Sequence, residues 1–421
     1  MKRSFPPAFF ILLLCLFSNS LSGQQRIYSQ YLDHPWVDSM MSTLSMEEKT
    51  AQSLWVIAGP ENGLHEIMDG AISIREHGLG GLIFTEGPNK QMQALADYCR
   101  SHSTIPLAIA LEGRWSEQYP HMGSLAAIAN DSLRYLAGSN LACLIRKAGV
   151  SVVLTKGMDD ALAAGLTDKH IQILDPRWIQ RIRISELGNC LDTQIPADSI
   201  EYRARQVLAL KYWIMQQEVV AGKGIQEVMA TGGHHQSAFI RDLYAHSLTV
   251  LNNQNQVIPV RELGNTRIAC LAVNQQGMTG FQKMAGQYTR TENYFWLPDS
   301  ENNNELIKEL STYDLVIAGV YPGQSPEATE AFISSLGQKT ELILVWFGDA
   351  ESLDGCLSIA SNGKSPEAEG LILAYDQKPI TQGLSAQLIF GGISGRGRLP
   401  VAIGDQYPVG FGITTPGGLR L

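Results

Sequence analysis

Short apolar runs alternate with amphipathic segments between residues 36 and 214. The runs are rich in β-branched residues and apolar at nearly every position, and they cover Ser53–Ile57, Gly81–Thr85, Ile105–Leu111, Val150–Thr155 and His170–Leu174. Helical periodicity fills the intervals, over Ile67–His77, Gln91–His102 and Asp131–Ala148. Strands that are apolar on both faces and alternate with helices are typical of a parallel sheet covered on both sides. This half of the chain is therefore predicted to be α/β, as a barrel or an open sheet.

A second α/β series follows a long helical segment, Asp198–Gln217, and a glycine-rich stretch, Ala221–Gly233. Its predicted strands are Arg267–Val273, Tyr294–Leu297, Asp314–Tyr321, Glu341–Phe347 and Gly370–Tyr375, and its helices include Asn303–Leu310 and Ser325–Leu336. This pattern predicts a doubly wound open sheet of about five strands. We place the first domain at residues 24–220, a linker at 221–240 and the second domain at 241–421.

The first residues have the layout of an export signal. Lys2 and Arg3 precede an apolar run, Ala8–Phe17, and small polar residues lead to Gly23. The run is too short to span a bilayer, which takes about 20 residues. We predict that residues 1–23 are a cleaved signal peptide, that no transmembrane segment follows, and that the protein is exported to the periplasm or beyond.

Charge and cysteine content exclude several classes of function. The net charge is −9 and lysine and arginine are not clustered, which argues against nucleic acid or anionic lipid as a partner. Five cysteines follow the predicted signal, without a C-x-x-C pair, so neither a disulfide framework nor a zinc site is expected. His234 and His235, within Gly232–Ser237, could bind a metal, but an exposed linker is the favoured interpretation. No cofactor or metal is predicted.

Several short motifs occur in a characteristic order. They are Trp36–Ser39 with Ser45–Lys49, then Gly80–Phe84, Ile105–Ala110, Ser247–Asn253, Gly397–Val401 and Tyr407–Gly412. Together they resemble glycoside hydrolase family 3, especially the branch that includes bacterial β-N-acetylglucosaminidases. The resemblance implies a TIM-barrel-like N-terminal domain followed by a doubly wound α/β sandwich. It also implies a β-linked glycan or amino sugar as the ligand.

The motifs that carry catalysis in this branch are missing. A retaining glycosidase needs a carboxylate nucleophile and an acid/base about 5 Å away. The branch supplies the acid/base from a Lys-His-Phe-Pro-Gly-His-Gly block and the nucleophile from a Thr-Asp or Ser-Asp pair, and neither is found. His170–Pro176 resembles the last barrel strand, so only about ten residues separate it from Asp159, where three βα units of about 30 residues each would lie. The predicted barrel is therefore incomplete.

That gap must be closed in some way. The fourth strand could pair with the last one in a five-stranded partial barrel, or residues Ile182–Ile195 could cover the gap. A dimer through the open strand edge is a weaker expectation.

Five residues remain as vestigial candidates for substrate binding, and no catalytic residue is identified. Glu112 and Arg114 stand where the resemblance implies Asp and Glu, and the favoured interpretation is that they pair with each other. Trp115 could stack on a sugar or simply pack. Asp159 would end the fourth strand, and Asp175 could face a pocket or form a turn with Pro176.

The sequence thus predicts an exported family 3-like protein that is catalytically inactive and binds a glycan or a partner protein in the cell envelope. The alternative is a β-N-acetylhexosaminidase or β-glycosidase that releases β-linked amino sugars from peptidoglycan or chitin fragments.

Overall fold

The computed structural model describes residues 27–58, 72, 77–86, 90–115, 119–183, 196–221, 233–300, 303–357 and 367–418. The chain divides into two compact units. The first unit is drawn from Met1–Gly113, Cys143–Gly157 and Lys169–Gly224, and the second from Arg114–Ala142, Met158–Asp168 and Ile225–Leu421. The domain limits given by the sequence stay a prediction.

The elements of the first half of the chain follow one another as α1 (Pro35–Thr43), α2 (Met46–Ser53), β1 (Leu54–Ala58), β2 (Gly81–Glu86), α3 (Lys90–His102), β3 (Ala108–Arg114), α4 (Met122–Ala126), α5 (Asp131–Lys147), β4 (Val152–Leu154), α6 (Asp160–Thr167), β5 (Gln172–Leu174), β6 (Gln180–Ile182) and α7 (Ala197–Ala221). Serine and glutamate at the start of α2 form a capping box, in which Ser45 accepts from the Glu48 amide and the Glu48 carboxylate accepts from the Ser45 amide.

The first unit is built on a parallel sheet with the strand order β5-β4-β3-β2-β1-β6. Strand β5, the counterpart of the predicted last barrel strand, pairs directly with β4 through Val152–Gln172 and Leu154–Leu174. The predicted pairing of these two strands is therefore confirmed, whereas the predicted number of five strands is wrong, because β6 adds a sixth. At the opposite edge, β6 pairs with β1 in the register Leu54–Gln180 and Trp55–Arg181. Of the segment expected to cover the gap, Ile182 lies in β6 and residues 184–195 lie outside the described part.

The link between β5 and β6 forces this sheet to curl. In a flat sheet the two edge strands would lie five strand spacings apart, about 24 Å. The chain from Leu174 to Gln180 advances six residues, which reach about 20 Å when fully extended. Part of that link is a 3₁₀ turn, Pro176–Trp178, which shortens the reach further. The two edges must therefore approach each other, as in a partial barrel.

Trp55 fills the face toward which the sheet curls. Its indole is fully buried and lies over Gly81 of the neighbouring strand, where an added Cβ would come within 2.5 Å of Trp55 Cε3 and 2.7 Å of the Ala108 carbonyl oxygen. Ile83, Ala108, Ala110, Val152 and Leu154 belong to the same core cluster. Small residues opposite one large ring let a narrow interior reach close packing.

The second half of the chain continues with α8 (Gly233–Ser247), β7 (Thr249–Asn253), β8 (Ile268–Val273), α9 (Gly280–Ala285), β9 (Thr291–Trp296), α10 (Asn303–Leu310), β10 (Leu315–Val320), α11 (Pro326–Gly337), β11 (Leu342–Trp346), α12 (Ala350–Leu357), β12 (Gly370–Leu373) and α13 (Pro379–Ile389). Helix α8 begins inside the span predicted as a linker, and the side chains of His234 and His235 lie outside the described part.

A second sheet, ordered β7-β12-β11-β10-β8-β9, forms the centre of the second unit. Its strands are parallel except β7, which runs antiparallel to β12 at one edge. From β8 the chain moves outward to β9 and then returns to β10, β11 and β12 on the other side, which is the doubly wound arrangement. The predicted fold class, an incomplete TIM-barrel-like domain followed by a doubly wound α/β sandwich, is confirmed. Among the described helices, none is both long and apolar enough to cross a membrane.

Candidate functional site

Glu112 lies at the carboxyl end of β3, on the concave face of the first sheet. Alternate residues of a strand share one face, which places Glu112 in line with Ala108 and Ala110. Arg181 of β6 is registered with Trp55 and so shares that face. Arg181 Nη1 donates to Glu112 Oε1 at 2.7 Å.

This ion pair spans four strands, β3-β2-β1-β6. In a flat sheet the outer two of these strands would be about 14 Å apart, and side chains standing perpendicular to the sheet would not meet. The contact therefore marks the mouth of the curled sheet. The sequence suggested Arg114 as the partner of Glu112, whereas the described partner is Arg181. The side chain of Arg114 lies outside the described part.

Thr85, at the end of β2, adds a hydroxyl near this mouth. Its Oγ1 is buried and has no hydrogen-bond partner among the described residues. Gly113, with a φ of +103°, allows β3 to pass close by, because a Cβ there would lie 2.5 Å from the Thr85 carbonyl oxygen. The mouth thus offers a carboxylate and a guanidinium that is 43% exposed, while the Thr85 hydroxyl is buried. These groups can donate and accept hydrogen bonds with a hydroxylated ligand.

Asp175 follows β5 and forms a local turn. It accepts from the Arg177 amide at 2.8 Å and forms an ion pair with Arg177, whose Nη2 lies 2.7 Å from Oδ2. These hydrogen bonds lower the pKa of Asp175 to about 2. A carboxyl group that stays ionised at neutral pH is a poor proton donor, so Asp175 is unsuited to the role of general acid.

Asp159 and Trp115 belong to the second unit. Asp159 is the N-cap of α6, where it accepts from the amides of Ala161 and Leu162, and its Oδ1 lies 2.9 Å from Arg134 Nε. Trp115 is 5% exposed, which leaves little of its ring for stacking on a sugar. Asp159 therefore has a structural role in the described contacts, and Trp115 is buried.

The three acidic candidates share one property, since each is paired with a different arginine. Arg181 pairs with Glu112, Arg177 with Asp175 and Arg134 with Asp159. Within the described ranges, no hydrogen bond joins two of these candidates, and no group of three or more His, Cys, Asp or Glu side chains is placed to hold a metal ion.

Comparisons with known proteins identify the fold. No protein-family model matches the sequence, and no curated protein sequence matches it. Among solved structures, a glycoside hydrolase family 3 β-N-acetylglucosaminidase from Paenibacillus sp. superimposes with a TM-score of 0.61 at 14% identity, covering 85% of this chain and 99% of that one.

Two further structures show the same likeness. A β-glucoside phosphorylase has a TM-score of 0.61 at 12% identity, with 88% of this chain and 96% of that one covered. A β-glucosidase from Listeria innocua has a TM-score of 0.56 at 11% identity, with 87% and 76% covered. At these identities the comparisons concern architecture alone. The chain has the two-part fold of glycoside hydrolase family 3 structures.

Proposed function

We propose that this protein is an exported glycan-binding member of the family 3 fold that does not cleave glycosidic bonds. The observation that carries the proposal is the Glu112–Arg181 pair at the mouth of the curled sheet. An oxygen of the Glu112 carboxylate that already accepts from the Arg181 guanidinium at 2.7 Å is engaged in a charge-assisted hydrogen bond, which suits recognition of hydroxyl groups better than attack on a glycosidic carbon.

We propose a β-linked amino sugar as the ligand class. The motifs that resemble family 3 point to its amino-sugar branch, and one structure with this fold is by name a β-N-acetylglucosaminidase. The mouth supplies acceptors from Glu112 and donors from Arg181, and both kinds of group are needed for sugar hydroxyls and an acetamido group.

Two measurements on the purified protein test the proposal. N-acetylglucosamine oligosaccharides should bind in a calorimetric titration, and a chromogenic β-N-acetylglucosaminide should not be hydrolysed above background. The variant Glu112→Gln should weaken binding about tenfold or more, because it removes the charge that holds Arg181 in place. Glu262→Gln, an exposed glutamate outside any helix or strand, is the matched control and should leave binding unchanged.

A second candidate function is hydrolysis by an unconventional pair of residues. It is favoured by the names of the compared structures, which describe enzymes that act on β-glycosides. Turnover that is lost in both Asp159→Asn and Asp175→Asn would establish this candidate and overturn the proposal. If the protein shows neither binding nor turnover, the glycan-binding proposal is also contradicted, and a protein partner is indicated instead.

A further inference from the structure

Inside the first unit lies a lysine that forms no ion pair with any residue that the structure describes. Lys211 belongs to α7 and is completely buried, with Leu208, Leu210 and Trp213 beside it in the chain also buried. Taking an ammonium ion out of water is costly unless the charge is paired, so the surroundings of this side chain determine whether it can keep its proton.

The hydrogen bonds of Lys211 match a neutral amine. Its Nζ donates to Gln52 Oε1 at 2.7 Å and to the Leu79 carbonyl oxygen at 3.3 Å. The orientation of the Gln52 amide is fixed, because its Nε2 donates to the carbonyl oxygen of Gly78. A neutral amine has two N–H groups and these two acceptors satisfy both, whereas an ammonium ion would carry a third donor that has no acceptor among the described residues.

The charged groups described on α1 and α2 are either paired with other side chains or exposed. On α2, Lys49 forms an ion pair with Glu201 at 3.1 Å, and on α1, Asp38 forms one with Arg205 at 2.6 Å. The other charged residues of α2 are Glu47 and Glu48, which are exposed in its first turn, and His77 precedes β2. None of these groups shifts the pKa of Lys211, which burial alone lowers from 10.5 to about 7.

We propose that Lys211 is held as a neutral amine in the folded first unit, so that folding releases a proton and acidification weakens this unit. The neutral amine joins α7 to the residues that enter β1 and β2, which places it at the amino end of the curled sheet. This inference is independent of the proposed function, since it uses no residue of the mouth.

The sign of the pH dependence follows from the two states. Between the folded value near 7 and the unfolded value of 10.5, the unfolded chain binds one more proton than the folded chain. Stability therefore rises with pH across this window, and the unfolding constant falls by up to about tenfold per pH unit. Below pH 7 both states are protonated and this contribution no longer changes with pH.

Urea unfolding at pH 7.0 and 8.5 tests the proposal on the full chain. The unfolding constant of the wild type should fall by roughly an order of magnitude more than that of Lys211→Met over this interval. Lys147→Met, at an exposed lysine of α5, is the matched control and should behave as the wild type. The interval stops at pH 8.5 because the buried Cys99 thiol, with its pKa raised to about 11, gives a dependence of opposite sign from about pH 9 upward.

A second measurement uses the wild-type protein alone and therefore tests the proposal even if Lys211→Met does not fold. In protein labelled with ¹³C at lysine Cε, one resonance should have the shift of a neutral amine at pH 8.5 and move toward the ammonium position as the pH falls to 6. An ammonium shift for every lysine at pH 8.5 would overturn the proposal. So would an equal pH dependence of unfolding in the wild type and Lys211→Met.

Discussion

Individual residues determine how tightly the interior of the first sheet can pack. Trp55 occupies the space that a side chain at Gly81 would need, and the same position lies close to the carbonyl oxygen of Ala108. Because the obstacle on one side is backbone, it cannot move aside as the end of a flexible chain could.

Gly81→Ala should therefore destabilise the protein by about 1–3 kcal/mol or more, through overpacking of the interior. Gly157→Ala is the control, since a Cβ there meets no atom within 4 Å. Urea unfolding measures both. Equal stability of the two variants would mean that the contact of Trp55 with Gly81 does not limit the packing.

The sequence predicted which strands carry the candidate residues but not which residues they contact. Glu112 was placed at the end of the third strand, where the structure has it. Arg181 was missed, because it follows Glu112 by 69 residues and reaches it only through the curl of the sheet. A sequence-based signal was nevertheless present, since Arg177, Arg181 and Arg183 recur at short intervals directly after Asp175, which follows a strand.

At the level of elements, α6 replaces the chain expected between the fourth and last strands of a full barrel. Its start depends on Asp159, whose carboxylate accepts from two amides that have no partner inside the helix. Arg134 forms an ion pair with the same carboxylate. The residue proposed from the sequence as a sugar contact is thus engaged in starting this helix.

Asp159→Ala should lower the free energy of unfolding by about 1–2 kcal/mol, through loss of the N-cap. Asp159→Asn should retain most of the stability, because asparagine is an equally good N-cap. Asp160→Ala is the control at an exposed position of the first turn. A loss in the asparagine variant as large as in the alanine variant would assign the stability to the ion pair with Arg134 instead.

Elements with a clear apolar pattern were predicted well. Helix α10 has the predicted bounds, and the strands β8, β10 and β11 lie within the predicted runs. Strand β6 was missed because its three residues, Gln180–Ile182, are mostly polar, and helix α6 was missed because Ala161–Leu166 contains only apolar residues and glycine and so shows no helical period. Strand β7 was noted only as a motif, since pairing with β12, more than 100 residues away, leaves no local signal.

At the scale of the whole molecule, the order of the short motifs predicted the architecture although no family model matches. Each motif is a stretch whose packing the fold requires, such as Gly80–Phe84, where glycines meet Trp55 and the chain enters β2. The short distance between Asp159 and His170 was also visible in the sequence, and the pairing of β4 with β5 that it led us to expect is present. The pairing of β6 with β1 at the opposite edge was not predicted, because a three-residue strand leaves no local signal.

Export is the property of the whole chain that remains a prediction, since residues 1–26 lie outside the described part. Expression in a bacterium with the chain's own amino terminus should give a periplasmic or secreted product that begins near Gln24. Leu13→Arg, a charge inside the apolar run, should block processing. A full-length product in the cytoplasm of cells that make the unaltered protein would refute the signal peptide.

The link between β5 and β6 sets the greatest distance between the two edge strands of the curled sheet. Both edges of the sheet are joined by one short covalent segment, so the opening cannot widen beyond the reach of that segment, about 20 Å. This limit follows from the number of residues in the segment and does not depend on the side chains that the segment carries. Lengthening this segment would relax the curvature and separate Arg181 from Glu112, while substitutions elsewhere in the sheet would leave the limit as it is.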